Sequence, residues 1–366
     1  MFKDIYSGKK VLITGHTGFK GSWLTSWLYS LDANIIGVSK DIPTSPSMFE
    51  VLELEEKIQH HFVDIRNYKE LHNIIDTQKP DFIFHLAAQP IVSISYKDPV
   101  ETISSNVLGT TNVLESLRQS NHECTAVIIT SDKAYDNIEQ IWGYKEDDAM
   151  GGKDIYSGSK GAAELIIKSY HHSFFKSDKS NVRLAIARAG NVIGGGDWAK
   201  DRIVVDAMIA WSKGDKVEIR SPNATRPWQH VLEPLSGYLH LGQKLNANLD
   251  FHGEGFNFGP RAEQNRTVKE LLDDSAKSWG FKAEQAYVIT DNIKFHEAGL
   301  LKLNCDKALS YLDWYANLEY LETISFTSEW YVNFYSDQNI SMFEKTIAQI
   351  REYQEIARIK GIEWTE

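Results

Sequence analysis

The 366-residue sequence predicts an α/β fold: a doubly wound parallel sheet joined to a smaller C-terminal α/β domain. Two observations predict it. Short β-rich runs alternate with helical stretches through the first half, as βαβ units do. After about residue 191 that rhythm breaks, at the glycine run 194–196. At about 150 residues per domain, the length is that of two domains or one large one. The expected division is a first domain at 1–190 and a second made mainly of 191–366, with a segment near 229–257 returning to the first.

The elements follow in order. The strand KVLIT at 10–14 runs into glycines and a helical stretch at 21–31. NIIGV at 34–38 and HHFV at 60–63 come next, followed by a helix at 68–77. FIFH at 82–85 precedes a long helical pattern at 100–118. AVIIT at 126–130, a helix at 155–172 and RLAIARA at 183–189 complete six strands. A further helical stretch, 231–244, is expected to return to the sheet, and 246–255 reads as a connector. In such sheets ligands sit at the carboxyl ends of the strands.

Composition narrows the class. Apolar residues are 42% and charged residues 24%, close to an ordinary globular protein. No stretch approaches about 18 uncharged apolar residues, so no membrane span is expected. The net charge of −11 argues against a nucleic-acid partner, and any anionic substrate would need locally concentrated positive charge. The two cysteines, Cys124 and Cys305, match no metal spacing, and no metal site is expected. The start MFKDIYSGKK has no apolar signal core, so a reducing cytoplasm is the expected compartment.

The first chemical signal is GHTGFKG at 15–21, between a strand and a helix. Gly15, Gly18 and Gly21 allow a tight turn and close approach to a pyrophosphate. Thr17, Phe19 and Lys20 fill that turn, and the helix N-terminus offers free N–H groups to phosphate. A Rossmann dinucleotide site is therefore expected. Asp41, after the second strand, would bind ribose hydroxyls and favour NAD, whereas Ser39 and Lys40 would suit a 2′-phosphate; NAD is the expectation. In VDIR, Asp64 beside Ile65 would accept from the adenine amino group, or else cap the strand end. Leu86, Ala87 and Ala88 are small enough to let a cofactor cross the sheet edge, with core packing the plainer reading of Leu86. Thr130 ends the fifth strand at the same edge. His16 reads as a residue that holds the glycine loop.

The second signal is Tyr156-Ser-Gly-Ser-Lys160, a tyrosine and a lysine four apart on one helix face. A tyrosine has a pKa of about 10, and a neighbouring ammonium favours the phenolate a base requires. The third is Ser131-Asp132-Lys133, at the end of the fifth strand. Ser131 would bond the reacting hydroxyl, a protonated Asp132 would protonate a departing hydroxide, and a neutral Lys133 would act on a carbon acid.

On these residues the sequence resembles the extended short-chain dehydrogenase/reductase family. More narrowly it is similar to the nucleotide-sugar 4,6-dehydratases, and among them to the branch acting on CDP-glucose. The narrow likeness rests on ITSDKAY (129–135), ARAGNVIGGGDWAKDRIVVD (187–206), TRPWQHVLEP (225–234) and CDKALSYLDW (305–314). Most sugar dehydratases carry Glu where Lys133 stands, and the CDP-glucose branch carries Lys. The resemblance implies a cycle with no net redox. Tyr156 takes the proton of the 4-hydroxyl as hydride passes to NAD, Lys133 deprotonates carbon 5, Asp132 protonates the leaving oxygen of carbon 6, and the hydride returns. It also implies CDP-4-keto-6-deoxyglucose as product, on the way to deoxysugars of an O-antigen. A homodimer through helices 100–118 and 155–170 is implied, and a tetramer is compatible with it.

Substrate candidates follow. Arg202, Arg226 and Arg261 suit a pyrophosphate through their paired donors, Arg226 first; a surface ion pair is the plainer reading, most of all for Arg261. Asn191 would bond sugar or pyrophosphate. Trp198 and Trp228 would stack on cytosine or wall the sugar, or simply pack in the core. Gln89 and Ser93 would touch the sugar. The competing readings are another NAD-dependent 4,6-dehydratase, a 4-epimerase and a silent NAD-sensing protein. Asp132 and Lys133 argue against the epimerase, Lys133 against other dehydratases, and the intact Tyr156/Lys160 pair against silence.

Overall fold

The computed structural model describes residues 1–177, 180–261, 263–290, 300–336 and 340–366. Its centre is a seven-stranded parallel sheet: β1 Lys10–Thr14, β2 Asn34–Ser39, β3 Gln59–Phe62, β4 Phe82–His85, β5 Cys124–Ile129, β6 Val182–Ala189 and β7 Gly255–Phe258. Their spatial order is β3-β2-β1-β4-β5-β6-β7. The order reverses between β1 and β4, the point outside whose carboxyl ends doubly wound sheets bind their ligands.

Alternation along each strand feeds two cores. Val11 and Ile13 of β1 join one, and Leu12 joins the other. All residues of β4, β5 and β7 are buried, as strands covered on both faces should be. Helices Tyr68–Gln78, Gly109–Gln119 and Ile155–Tyr170 contribute to the Leu12 side. Helices Phe19–Ser30 and Leu232–Ala247 belong to the other.

The long helix expected at 100–118 comes in three pieces. Pro99–Ile103 runs through a π-helical turn, Ser104–Leu108, into Gly109–Gln119. Such turns often mark functional positions. The segment 246–255 is more ordered than the connector expected of it. It forms a short 3-10 turn, Leu249–Phe251, and then enters β7, which pairs with β6 from Gly255 opposite Ile186 to Phe258 opposite Ala189. Helix Leu232–Ala247 lies on β5 and β6.

The remainder after 191 is built of helices and two- or three-residue strands. Val192–Ile193 pairs with Gln229–His230, Thr225–Arg226 with Arg266–Thr267, and Val217–Ile219 with Tyr287–Ile289. The last helix, Met342–Ile359, packs on Phe19–Ser30 rather than over the crevice. Trp364 stacks on Phe2 at 5.2 Å, tying the last residues to the first.

Candidate active site

The turn after β1 is shaped by its glycines. Gly15 has φ +78°, and a Cβ there would lie 2.8 Å from the Ala87 backbone nitrogen. A Cβ on Gly21 would come within 2.0 Å of the Gly15 carbonyl oxygen. Helix Phe19–Ser30 begins at Gly18 with no side-chain cap, leaving its first-turn N–H groups for an anion. These features fit a dinucleotide pyrophosphate. His16 is fully buried, with Nδ1 2.9 Å from Ser39 Oγ and its ring against the space a Gly37 side chain would need. Burial pushes its pKa down to about 4, so it is a neutral prop for the loop. Thr17 donates to the Asp41 carbonyl at 2.8 Å.

At the end of β2, Ser39 is occupied by His16, and Lys40 pairs with Glu101 at 3.1 Å. The Asp41 side chain stays exposed. The free carboxylate of Asp41 thus stands after β2, with Lys40 drawn to Glu101. Asp64 follows the plainer of its two readings. Its carboxylate accepts from Arg66 Nε at 3.0 Å, from Nη2 at 2.5 Å and from the Arg66 backbone at 2.9 Å. Those bonds hold its pKa below the usual range and make it the strand-end cap. Ile65 is core, packed where a side chain on Gly109 would stand. Leu86, Ala87 and Ala88 are half-buried at the β4 edge, facing the glycine turn through Ala87.

The catalytic candidates converge at the ends of β5 and β6. Ser131 opens a 3-10 turn, Asp132–Ala134, and accepts from the Lys133 backbone at 3.2 Å. Its hydroxyl donates to Asp132 Oδ1 at 2.9 Å, and both side chains are among the groups that act on the Tyr156 phenol. Asp132 is 6% exposed, and a Cβ on Gly190 would sit 3.1 Å from its Oδ2. Burial raises its pKa against the pull of Lys133, Ser131 and Lys20, which favours the protonated acid. Helix Ile155–Tyr170 is capped by Asp154, which accepts from the Ser157 N–H at 2.9 Å. That cap fixes the first turn, which carries Tyr156. Burial pushes Tyr156 up to about 12, Ser131 and Arg202 opposing, and pushes Lys160 down to about 8, Glu164 opposing. Lys133 is half-buried beside Asp132.

Lys20 was expected to serve the cofactor turn, and its ammonium reaches further. Burial pushes its pKa down to about 8, and its charged neighbours are Arg202, Asp132, Lys160 and Asp197. Thr130 turns away from the crevice and donates to Glu164 at 2.6 Å.

The substrate candidates divide. Asn191 and Arg226 are half-buried after β6 and in a short strand; Arg226 donates to the Thr225 carbonyl at 2.8 Å. Arg202 is paired with buried Asp197. Arg261 forms the plainer surface pair, 3.5 Å from Glu319. Trp198 and Trp228, each 6% exposed, are core residues rather than stacking platforms. Trp198 lies edge-on to Trp330 and bonds Tyr335, and Trp228 donates to the Arg266 carbonyl. Gln89 is also withdrawn from a sugar. Its amide donates to Thr102 Oγ1 at 2.8 Å, and its Oε1 accepts from the Ile91 N–H at 2.6 Å. Ser93 donates to Asp201 at 2.9 Å, spanning the two sides of the crevice.

Sequence reasoning missed Asn106. It sits in the π-helical turn, accepts from the Gln89 N–H at 2.8 Å and donates to Ser159 at 2.9 Å, joining the β4 loop to the Tyr156 helix. No spacing rule announces such a residue. Among the described residues no cluster of three or more His, Cys, Asp or Glu could hold a metal ion, and no helix is long and apolar enough to cross a membrane.

Comparison with known proteins places this geometry. The family profile described as GDP-mannose 4,6 dehydratase matches residues 12–327. CDP-glucose 4,6-dehydratase of Salmonella typhimurium is 46% identical over 332 residues, covering 90% of this chain and 92% of that protein. Two solved structures share the fold. UDP-glucose 4-epimerase of Thermotoga maritima superposes with a TM-score of 0.75 at 20% identity, covering 92% of this chain and 99% of that one. The dTDP-glucose 4,6-dehydratase DesIV of Streptomyces venezuelae, solved with NAD and TYD bound, gives 0.74 at 19% identity, covering 88% and 96%. The chain, an extended short-chain dehydrogenase/reductase in fold, belongs to the GDP-mannose 4,6 dehydratase family.

Proposed function

We propose that this protein dehydrates CDP-glucose to CDP-4-keto-6-deoxyglucose. The observation that carries the chemistry is the grouping of Tyr156 with Ser131 and Asp132, buried together at the end of β5, which sets a redox base and a buried acid against one sugar. The 46% identity to a CDP-glucose 4,6-dehydratase supports the choice of nucleotide.

The residues divide the work by chemistry. Gly15, Gly18 and Gly21 would hold the pyrophosphate of NAD, Asp41 its ribose and the Leu86–Ala88 edge its passage over the sheet. When bound, NAD would supply a hydride acceptor for carbon 4 and, once reduced, a hydride source for carbon 6. Tyr156 takes the 4-hydroxyl proton. With its pKa pushed up to about 12 the phenolate is scarcely populated near neutral pH, so added positive charge, from Lys160 and from a bound cofactor, would be needed to favour it. Ser131 orients that hydroxyl. The 4-ketone acidifies carbon 5, Lys133 removes the proton there, and Asp132 delivers its own proton to the departing carbon-6 oxygen. Arg226, with Arg202 and Asn191, binds the substrate pyrophosphate.

The same reading extends to assembly and setting. Val100, Ile103, Leu108, Ile155 and Leu165 are exposed apolar residues on the two helical segments, which suits a homodimer. The crevice divides a cofactor part, 1–190 with 229–257, from a mainly substrate-binding remainder, and the product serves deoxysugar synthesis in the cytoplasm. The test is incubation of the purified protein with CDP-, dTDP- and UDP-glucose and GDP-mannose. A product lighter by one water from CDP-glucose alone is expected; dehydration of another nucleotide sugar instead overturns the base assignment.

A further inference from the structure

The turn bearing Asp132 and Lys133 is gripped at both ends by one buried ion pair. Just before it, Thr130 Oγ1 donates to Glu164 Oε1 at 2.6 Å. Just after it, Tyr135 Oη accepts from Arg188 Nη1 at 2.5 Å and donates to Asn257 Oδ1 at 2.8 Å. Between these anchors, Arg188 holds Glu164 with Nε at 2.8 Å and Nη2 at 2.5 Å, and its guanidinium lies 4.9 Å from the Tyr135 ring centre. Arg188 and Glu164 are 1% and 0% exposed. Glu164 stands one helical turn beyond Lys160, on the helix that also carries Tyr156.

Stability alone does not call for this pair. Burying two charges costs about as much as their attraction returns, and apolar replacements of the same shape are often neutral or better. Its geometry is what distinguishes it. Each anchor of the turn meets the pair directly, and the pair meets the helix at the turn after Lys160. The two catalytic groups, one for hydride transfer and one for loss of water, thus share a single rigid link.

We propose that Arg188 and Glu164 are positioning residues that keep Asp132 and Lys133 in register with Tyr156 and Lys160, coupling dehydration to the oxidation that precedes it. This rests on the dehydratase reading above. Displacement of about 1 Å at an acid or base costs on the order of 10²-fold in rate. Oxidation uses Tyr156, Lys160 and Ser131, and Ser131 stays tied at the Thr130 end of the turn, so loosening the Tyr135 end slows the later steps more than oxidation. Reduced cofactor then accumulates on the enzyme.

The test uses the whole protein with Tyr135→Phe and Glu164→Gln, and Glu164→Asp as the conservative rescue. Tyr135→Phe removes only the hydroxyl shared by Arg188 and Asn257. The expected result is kcat lower by about tenfold, KM for CDP-glucose within about twofold, and a transient of bound NADH larger than in the parent. For Glu164→Gln, the groups facing Lys160 are Lys20 from the glycine turn, His85 from β4 and Tyr156 from its own helix. With the Glu164 charge gone, the alkaline limb of kcat moves to lower pH, and Glu164→Asp restores it. Variants that merely lose thermal stability, with the parent's NADH transient and pH limb, overturn the proposal. A parent protein that leaves CDP-glucose unchanged overturns the dehydratase reading itself, which separates the two failures.

Discussion

Ser131 donates its hydroxyl to Asp132 at 2.9 Å, and both groups act on the Tyr156 phenol, so the proposed redox base and the proposed dehydration acid share one corner of the fold. The grouping explains how two chemistries fit one sugar ring. The 4-hydroxyl and the carbon-6 hydroxyl are neighbours on the substrate, and their protein partners are neighbours here.

In the proposed cycle Asp132 acts after oxidation, so its removal should interrupt that cycle midway. Asp132→Asn keeps the shape and loses the proton. Turnover should fall by about 10²–10⁴-fold, with NADH building up on the enzyme in stopped-flow absorbance. Loss of turnover without any NADH would place Asp132 in the oxidation step instead.

Gly15 combines φ +78° with contact to the Ala87 backbone, so any side chain meets both strain and collision. Gly15→Ala should weaken NAD binding by at least about tenfold, the conformational strain alone being about 1–2 kcal/mol. Calorimetric titration with NAD measures it; unchanged affinity would remove the turn from the cofactor site.

Glu233 gives a pH signature to stability. Burial pushes its pKa up to about 7, opposed by the N–H groups of Leu318 and Asn317 and by the Tyr353 hydroxyl. The folded protein therefore holds this proton more tightly than the unfolded chain does. The resulting stabilisation is full below the unfolded carboxyl value and is lost as pH rises through about 7. The limit is about 1.4 kcal/mol per pH unit between the two values. Glu233→Gln should flatten that slope in denaturant titrations. It should also lower stability at every pH, because one carboxamide oxygen replaces two acceptors for the Asn317 and Leu318 N–H groups. An unaltered slope would mean Glu233 stays charged throughout.

Trp198 separates packing from recognition. Buried against Trp330, Tyr331 and Phe334, it should respond to Trp198→Phe with a stability loss of about 1–3 kcal/mol. KM for CDP-glucose should hold within about twofold. A large rise in KM in a stably folded variant would restore it to the substrate site.

What was legible in the sequence was whatever local spacing encodes. Six strands announce themselves as apolar runs divided by helices, and the glycine turn and the Tyr156/Lys160 pair by their intervals. β7 does not, because GFNF mixes a glycine and a buried asparagine into its four residues; its burial comes from pairing with β6. Side-chain direction was equally hidden. Thr130, Gln89 and Trp198 stand near strand ends or loops where a ligand contact is reasonable, yet each points to a protein partner. Asp64 is explained by Arg66 two residues later, a local bond that the strand-end cap reading had anticipated. Glu164 lies at a visible interval from Lys160, but its partner Arg188 is set by the register of β6 beside β5.

The central claim is dehydration of CDP-glucose with internal hydride return. The most direct measurement is incubation with CDP-glucose in heavy water, followed by mass spectrometry and NMR of the product. The account predicts loss of one water, one deuterium at carbon 5, and no net NADH. An unchanged mass with inversion at carbon 4 would contradict it and make the protein an epimerase.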